Sequence, residues 1–154
     1  MERRDESHMS TSQDTPIKQR LLITFGKFGA LKYTSTLDIA KVWERVLRRA
    51  DLPLLYTQGF NTRPRIQLAS ALPLGITSEC EILDVALREE LSLEGLKEKI
   101  LAVSPQGLDI YGIENIPPES PALQQRVTRA SYRIEFADPI DKAHIQLQID
   151  ALMA

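Results

Sequence analysis

Arg45, Arg48 and Arg49 stand three and four residues apart, and Arg63 and Arg65 follow after a polar stretch that holds Gln58 and Asn61. Guanidinium groups at the first spacing share one side of a helix, and each suits bidentate contact with a phosphate. Asn and Gln side chains hydrogen-bond the edges of unpaired bases, and aromatic rings stack on their faces. Tyr56 and Phe60 bracket Gly59 inside the same stretch. Arg45, Arg48, Arg49, Gln58, Asn61, Arg63 and Arg65 therefore form a candidate RNA site. The plainer readings are a solvated helix face with a Glu44–Arg48 ion pair and a loop whose aromatics fold onto the core.

Other chemistry is thinly supplied. The single Cys80 excludes an internal disulfide and a multi-cysteine metal site. His8 and His144 lie far apart without ligand-like company, so neither a metal nor a cofactor is expected. Gly26 to Gly29 lacks the full phosphate-loop pattern. Glu79 and Glu81 read as solvated charges at a strand end. Asp38 has no His or Cys expected beside it, so a hydrolase or lyase built on it is a weaker option than a helix cap. No catalytic residue is assigned.

The elements that must position the arginines are legible. Ile39, Val42, Trp43, Val46, Leu47 and Ala50 recur at the spacing of one helical face. Ser35 and Asp38 form a capping-box-like start, and Pro53 disfavours helix at Leu52. Arg20 to Phe25 reads as a first strand, broken or bulged at Gly26–Gly29. Ile66 to Ser70 reads as a second strand, and Glu81 to Leu87 as a third that sends Leu83, Val85 and Leu87 to one face. Ser92 caps a second helix through Leu101, and Leu108 to Ile113 closes the set. The order predicts an α+β fold of ferredoxin-like type, a β-α-β-β-α-β antiparallel sheet with two helices on one face.

Four segments are expected: residues 1–17 as a disordered tail, 18–116 as the ferredoxin-like domain, 117–129 as a linker marked by Pro117, Pro118 and Pro121, and 130–154 as a further strand and helix. Tyr132-Arg-Ile-Glu-Phe136 echoes Leu21-Leu-Ile-Thr-Phe25, so the last segment reads as the start of a second, similar unit or as a strand and helix packed on the first. Asp138-Pro139 offers a cap and first-turn proline for a helix to about Leu152, although Ile145-Gln-Leu-Gln-Ile149 also alternates like a strand.

Lys27-Phe-Gly-Ala-Leu-Lys-Tyr33, Ser35 to Asp38, Arg45 to Pro53, Tyr56 to Arg65 and Leu72 to Glu79 together resemble the radical-SAM-linked bacterial domain of unknown function. The resemblance runs from about Lys18 to at least Asn115. It implies genomic company with radical-SAM proteins, and hence a radical-SAM enzyme as a partner. The family usually carries His where this chain has Thr36, and often His or Arg at Thr62-Arg63, so proton chemistry by a histidine at position 36 is not expected. The three-cysteine cluster signature of radical-SAM enzymes themselves is absent, so this chain does not run that chemistry alone.

Charge divides the chain. Lys18 to Gly75 holds ten basic residues against three acidic ones, while Ile76 onward holds seven against fourteen. The net charge of -2 argues against a general nucleic-acid coat protein, but the first half can meet a polyanion. No apolar run approaches the roughly 20 residues of a membrane span, and a bacterial cytoplasmic setting fits. The function expected is a non-catalytic RNA-binding module, tRNA- or rRNA-related. The alternative is an interaction or substrate-presenting domain for a radical-SAM partner.

Overall fold

The computed structural model describes residues 15–70, 72–139 and 141–153, so most of the expected tail lies outside the described residues. Among them, strands β1 (Gln19–Lys27), β2 (Ile66–Leu68), β3 (Ser78–Leu87) and β4 (Leu108–Ile116) form one sheet in the order β2-β3-β1-β4. Every neighbouring pair is antiparallel. Helices α1 (Thr36–Arg49), α2 (Leu96–Leu101), α3 (Leu123–Arg126) and α4 (Lys142–Met153) complete a mixed α+β fold.

β1 lies between β3 and β4, and its odd residues carry the core. Ile23 faces Leu83 on one side and Ile113 on the other. Leu21, Ile23 and Phe25 pack in one cluster with Trp43 and Leu47 of α1 and with Leu96 and Ile100 of α2. Both helices therefore serve the same apolar side of the sheet. α2 is shorter than the sequence reading: Ser92 Oγ accepts from Glu94 N in a preceding turn, and Gly95 at φ 69° is the residue that opens the helix.

α1 begins as its residues require. Ser35 Oγ accepts from Asp38 N at 3.1 Å and donates to Asp38 Oδ2 at 2.7 Å, so the box closes with a shorter acid. Its end has a different cause from the expected proline. Asp51 takes the left-handed conformation at φ 51°, with Asp51 N bonded to Arg48 O and Leu52 N to Leu47 O. That pair of bonds is the helix-ending motif that usually employs glycine. Asp51→Gly should relieve the left-handed strain and raise stability by up to about 1 kcal/mol in urea unfolding.

The segment expected as a linker, 117–129, does not behave as one. Arg20 and Asp84 project from the sheet face opposite α1, and their side chains meet at 2.6 Å in a buried ion pair. The same guanidinium donates to the carbonyls of Pro118, Ser120 and Pro121. Leu123 is fully buried outside the main core, and Gln124 Nε2 donates to Leu68 O on β2. Residues 117–126 are thus a strap across the rear of the sheet.

The expected strand at 130–136 forms no ladder among the described residues, and all of it is exposed. Tyr132, Ile134 and Phe136 keep the alternation, but a strand needs a neighbouring edge to satisfy its backbone, and none pairs with it here. α4 forms as expected, with Asp141 Oδ1 accepting from Ala143 N in place of a cap at Asp138. None of its residues is buried.

Candidate nucleic-acid interface

After α1 the chain doubles back on itself. Tyr56 bridges Pro64, Thr57 N bonds Arg63 O at 2.8 Å, and Arg65 N bonds Leu55 O at 2.7 Å. Leu55 N in turn donates to Ala86 O and Ala86 N to Arg65 O, which stitches the base of this hairpin to the end of β3. Its tip, Gln58 to Thr62, turns at Gly59 with φ 115°, a conformation that side chains other than glycine's rarely adopt. The Thr57 hydroxyl accepts from Arg63 N at 3.0 Å and tightens the neck.

The two aromatics behave differently. Tyr56 is half-buried and packs against the core, and its hydroxyl accepts from Arg48 Nε at 3.0 Å. Phe60 does not fold onto the core; it stands fully exposed at the tip. Burial is the usual outcome for Phe because a free ring forfeits roughly 1.5–3 kcal/mol of hydrophobic stabilisation. A ring held out on a tightened turn therefore needs a reason other than folding.

The arginines separate into braced and free. Arg48 pairs with Glu44 at 2.7 Å, and its guanidinium lies 5.6 Å from the centre of the Tyr56 ring. Its hydrogen bond to the Tyr56 hydroxyl, followed by the Glu44 charge, holds its pKa above the ordinary arginine value. Arg48 is thus a brace between α1 and the hairpin. Arg45, Arg49, Arg63 and Arg65 are exposed and make no ion pair among the described residues.

An open groove of about 490 Å³ runs along the joint between helix and hairpin, lined among others by Arg48, Tyr56, Gln58, Thr62 and Arg88. Of the seven expected site residues, the fold brings Arg48 and Gln58 into this groove. Arg45 and Arg49 stand on the exposed flank of α1, while Asn61, Arg63 and Arg65 lie on the exposed tip and return arm. Arg88 was not legible as part of the site, because in sequence it opens an Arg-Glu-Glu run after β3 that reads as solvated charge. Only the folding of the hairpin onto the end of β3 brings it there.

Among the described residues no group of three or more His, Cys, Asp or Glu is placed to hold a metal ion. No described helix is long and apolar enough to cross a membrane. No curated protein matches the chain significantly. A family model described as an uncharacterised protein conserved in bacteria (DUF2344) matches residues 20–154, which takes in the sheet, the hairpin, the strap and α4. The chain therefore belongs to the DUF2344 family of bacterial proteins.

Proposed function

We propose that this chain is a non-catalytic module that binds unpaired RNA, of tRNA or rRNA type, through the Tyr56–Arg65 hairpin and the adjoining flank of α1. The observation that carries this reading is Phe60, fully exposed at the hairpin tip between Gln58 and Asn61. An exposed ring supplies a stacking surface worth about 1–3 kcal/mol per base. Gln58 and Asn61 supply amide donors and acceptors for base edges. Arg45, Arg49, Arg63 and Arg65, free of acidic partners among the described residues, supply phosphate contacts. A sheet of the ferredoxin-like type behind the hairpin agrees with this reading by analogy alone, as does a cytoplasmic setting.

Fluorescence anisotropy with an unstructured RNA oligonucleotide at two salt concentrations tests it. Phe60→Ala should weaken binding about 5- to 160-fold, the factor that corresponds to one lost stack. The Arg45→Ala/Arg49→Ala pair should weaken all sequences alike and reduce the salt slope by about 1.4, at 0.7 per phosphate contact. Asn61→Ala should alter preference among bases instead. Absence of binding at low salt, or binding indifferent to Phe60 and to the arginine pair, would overturn the proposal.

A second reading, association with a radical-SAM enzyme, draws support from a different surface. Tyr132, Ile134 and Phe136 expose apolar side chains, as do Leu147, Ile149 and Leu152 of α4, which itself buries nothing. Apolar surface of that kind suits a protein partner better than a nucleic acid. Co-purification with a co-expressed radical-SAM enzyme, lost on Ile134→Asp and kept on Phe60→Ala, would favour this reading over RNA.

A further inference from the structure

Asp51 is the one non-glycine residue with a left-handed backbone among the described residues. Two costs fall on it. The conformation strains any side chain with a Cβ, and Asp51 stands just past the C-terminal end of α1, where the helix dipole disfavours a negative charge. Glycine would end the helix without either cost, and asparagine without the second. What aspartate alone adds is the charge, and that charge makes no ion pair among the described residues. A ligand for the carboxylate would account for its place there.

Asp51 lines the groove of about 490 Å³ beside the hairpin, and so does Arg88. The backbone joins the two: Arg88 N donates at 2.9 Å to the carbonyl of Pro53, two residues after Asp51. Their side chains nevertheless form no ion pair with each other, and Arg88 meets only its exposed neighbour Glu89, at 3.5 Å. One joint thus offers an acceptor with two oxygens and a fork of donors, beside walls that include the buried Leu54 and Leu55. The volume falls within the roughly 300–1,000 Å³ of small-ligand pockets, which is room for about one nucleotide. A ribonucleotide supplies the matching groups: a phosphate for the guanidinium, a base face for the leucines and a ribose hydroxyl for the carboxylate. Acidic side chains are suited to the ribose 2′-hydroxyl because they accept and cannot donate.

We propose that the groove takes one ribonucleotide unit, with Asp51 accepting from the 2′-hydroxyl and Arg88 pairing with the phosphate. This rests on the reading of the hairpin as an RNA site, and it adds a selection for ribose over deoxyribose, since the 2′-hydroxyl is what separates RNA from DNA at a given position.

Fluorescence anisotropy with an unstructured RNA oligonucleotide and its deoxyribose counterpart, with deoxyuridine in place of uridine, tests it on the full chain. The wild type should prefer RNA by about 10-fold or more, the factor for one hydrogen bond to a charged group. Asp51→Gly keeps the backbone conformation that ends α1, so it folds, and it should erase the preference by weakening RNA alone. A purely electrostatic role predicts the opposite, since loss of an acid would then strengthen RNA and DNA alike. Arg88→Ala should weaken both equally and reduce the salt slope. AMP bound more tightly than dAMP, and no longer so in Asp51→Gly, would place a free nucleotide in the groove; a preference confined to the oligonucleotides places a nucleotide of RNA there. Equal affinity for RNA and DNA, with Phe60→Ala still weakening both, overturns this inference and leaves the hairpin site standing. A preference that Asp51→Gly leaves intact also overturns it, and no binding of either strand at low salt overturns both readings.

Discussion

Replacing Trp43 by alanine should destabilise the domain by about 3–5 kcal/mol, a large fraction of the roughly 5–15 kcal/mol that holds a typical domain. Trp43 is fully buried, and its ring meets Phe25 edge-on at 4.9 Å between centroids. That pair locks α1 to the central strand, so alanine opens a cavity where helix and sheet meet. The indole Nε1 has no hydrogen-bond partner among the described residues. An unsatisfied buried donor costs about 1–3 kcal/mol, so the ring is retained for its volume. Trp43→Phe should therefore cost clearly less than Trp43→Ala in urea unfolding, because it removes the orphan donor while keeping an aromatic. Equal losses for the two variants would show that the core does not close around this ring.

Removing either partner of the Arg20–Asp84 pair should cost a further large amount, about 3–5 kcal/mol, because the other charge is left buried and alone. The two side chains meet through Arg20 Nε at 2.9 and 3.0 Å and Nη2 at 2.6 Å. Asp84 raises the Arg20 pKa through these bonds more than burial lowers it, so the guanidinium stays charged. The double replacement Arg20→Met/Asp84→Leu should be milder than either single one, since an apolar pair leaves no orphan charge. Losses that simply add in the double variant would show that the two residues do not act as a unit. Surface ion pairs elsewhere, such as Arg133 with Glu79 at 2.9 Å, should each contribute less than about 1 kcal/mol.

The parts of this fold that local chemistry decides were legible in the sequence. α1 was, because its apolar face, cap and basic flank lie within one stretch; so were the two faces of β3. The end of α1 was attributed to Pro53, whereas the backbone of Asp51 ends it first. The strap was read as a linker because Pro117, Pro118 and Pro121 look like one, and Arg20, which bonds the Pro118 and Pro121 carbonyls, lies about a hundred residues earlier. The alternation at 130–136 was legible and still gives no strand, since alternation describes a face and not a neighbour. Within the site, the spacing of Arg45, Arg48 and Arg49 predicted one helical flank. The place of Glu44 four residues before Arg48 predicted their ion pair, whereas the contact of Arg48 with Tyr56 is a matter of packing, and so is the exposure of Phe60.

The strap also sets an order of events. Its contacts to Arg20 span 98 to 101 residues of chain, but the β1–β4 ladder already sets Ile116 opposite Arg20, so that ladder closes the long loop and leaves the strap only a short one. It should therefore dock late in folding, after the sheet exists, and detach first in sub-global opening. When it detaches, α3 leaves β2, a three-residue edge strand whose Leu68 carbonyl Gln124 occupies in the native state. An uncovered strand edge is a template for pairing with another chain. The strap thus acts as a guard on the sheet, and the rate at which it lifts governs how often this protein offers itself to aggregation.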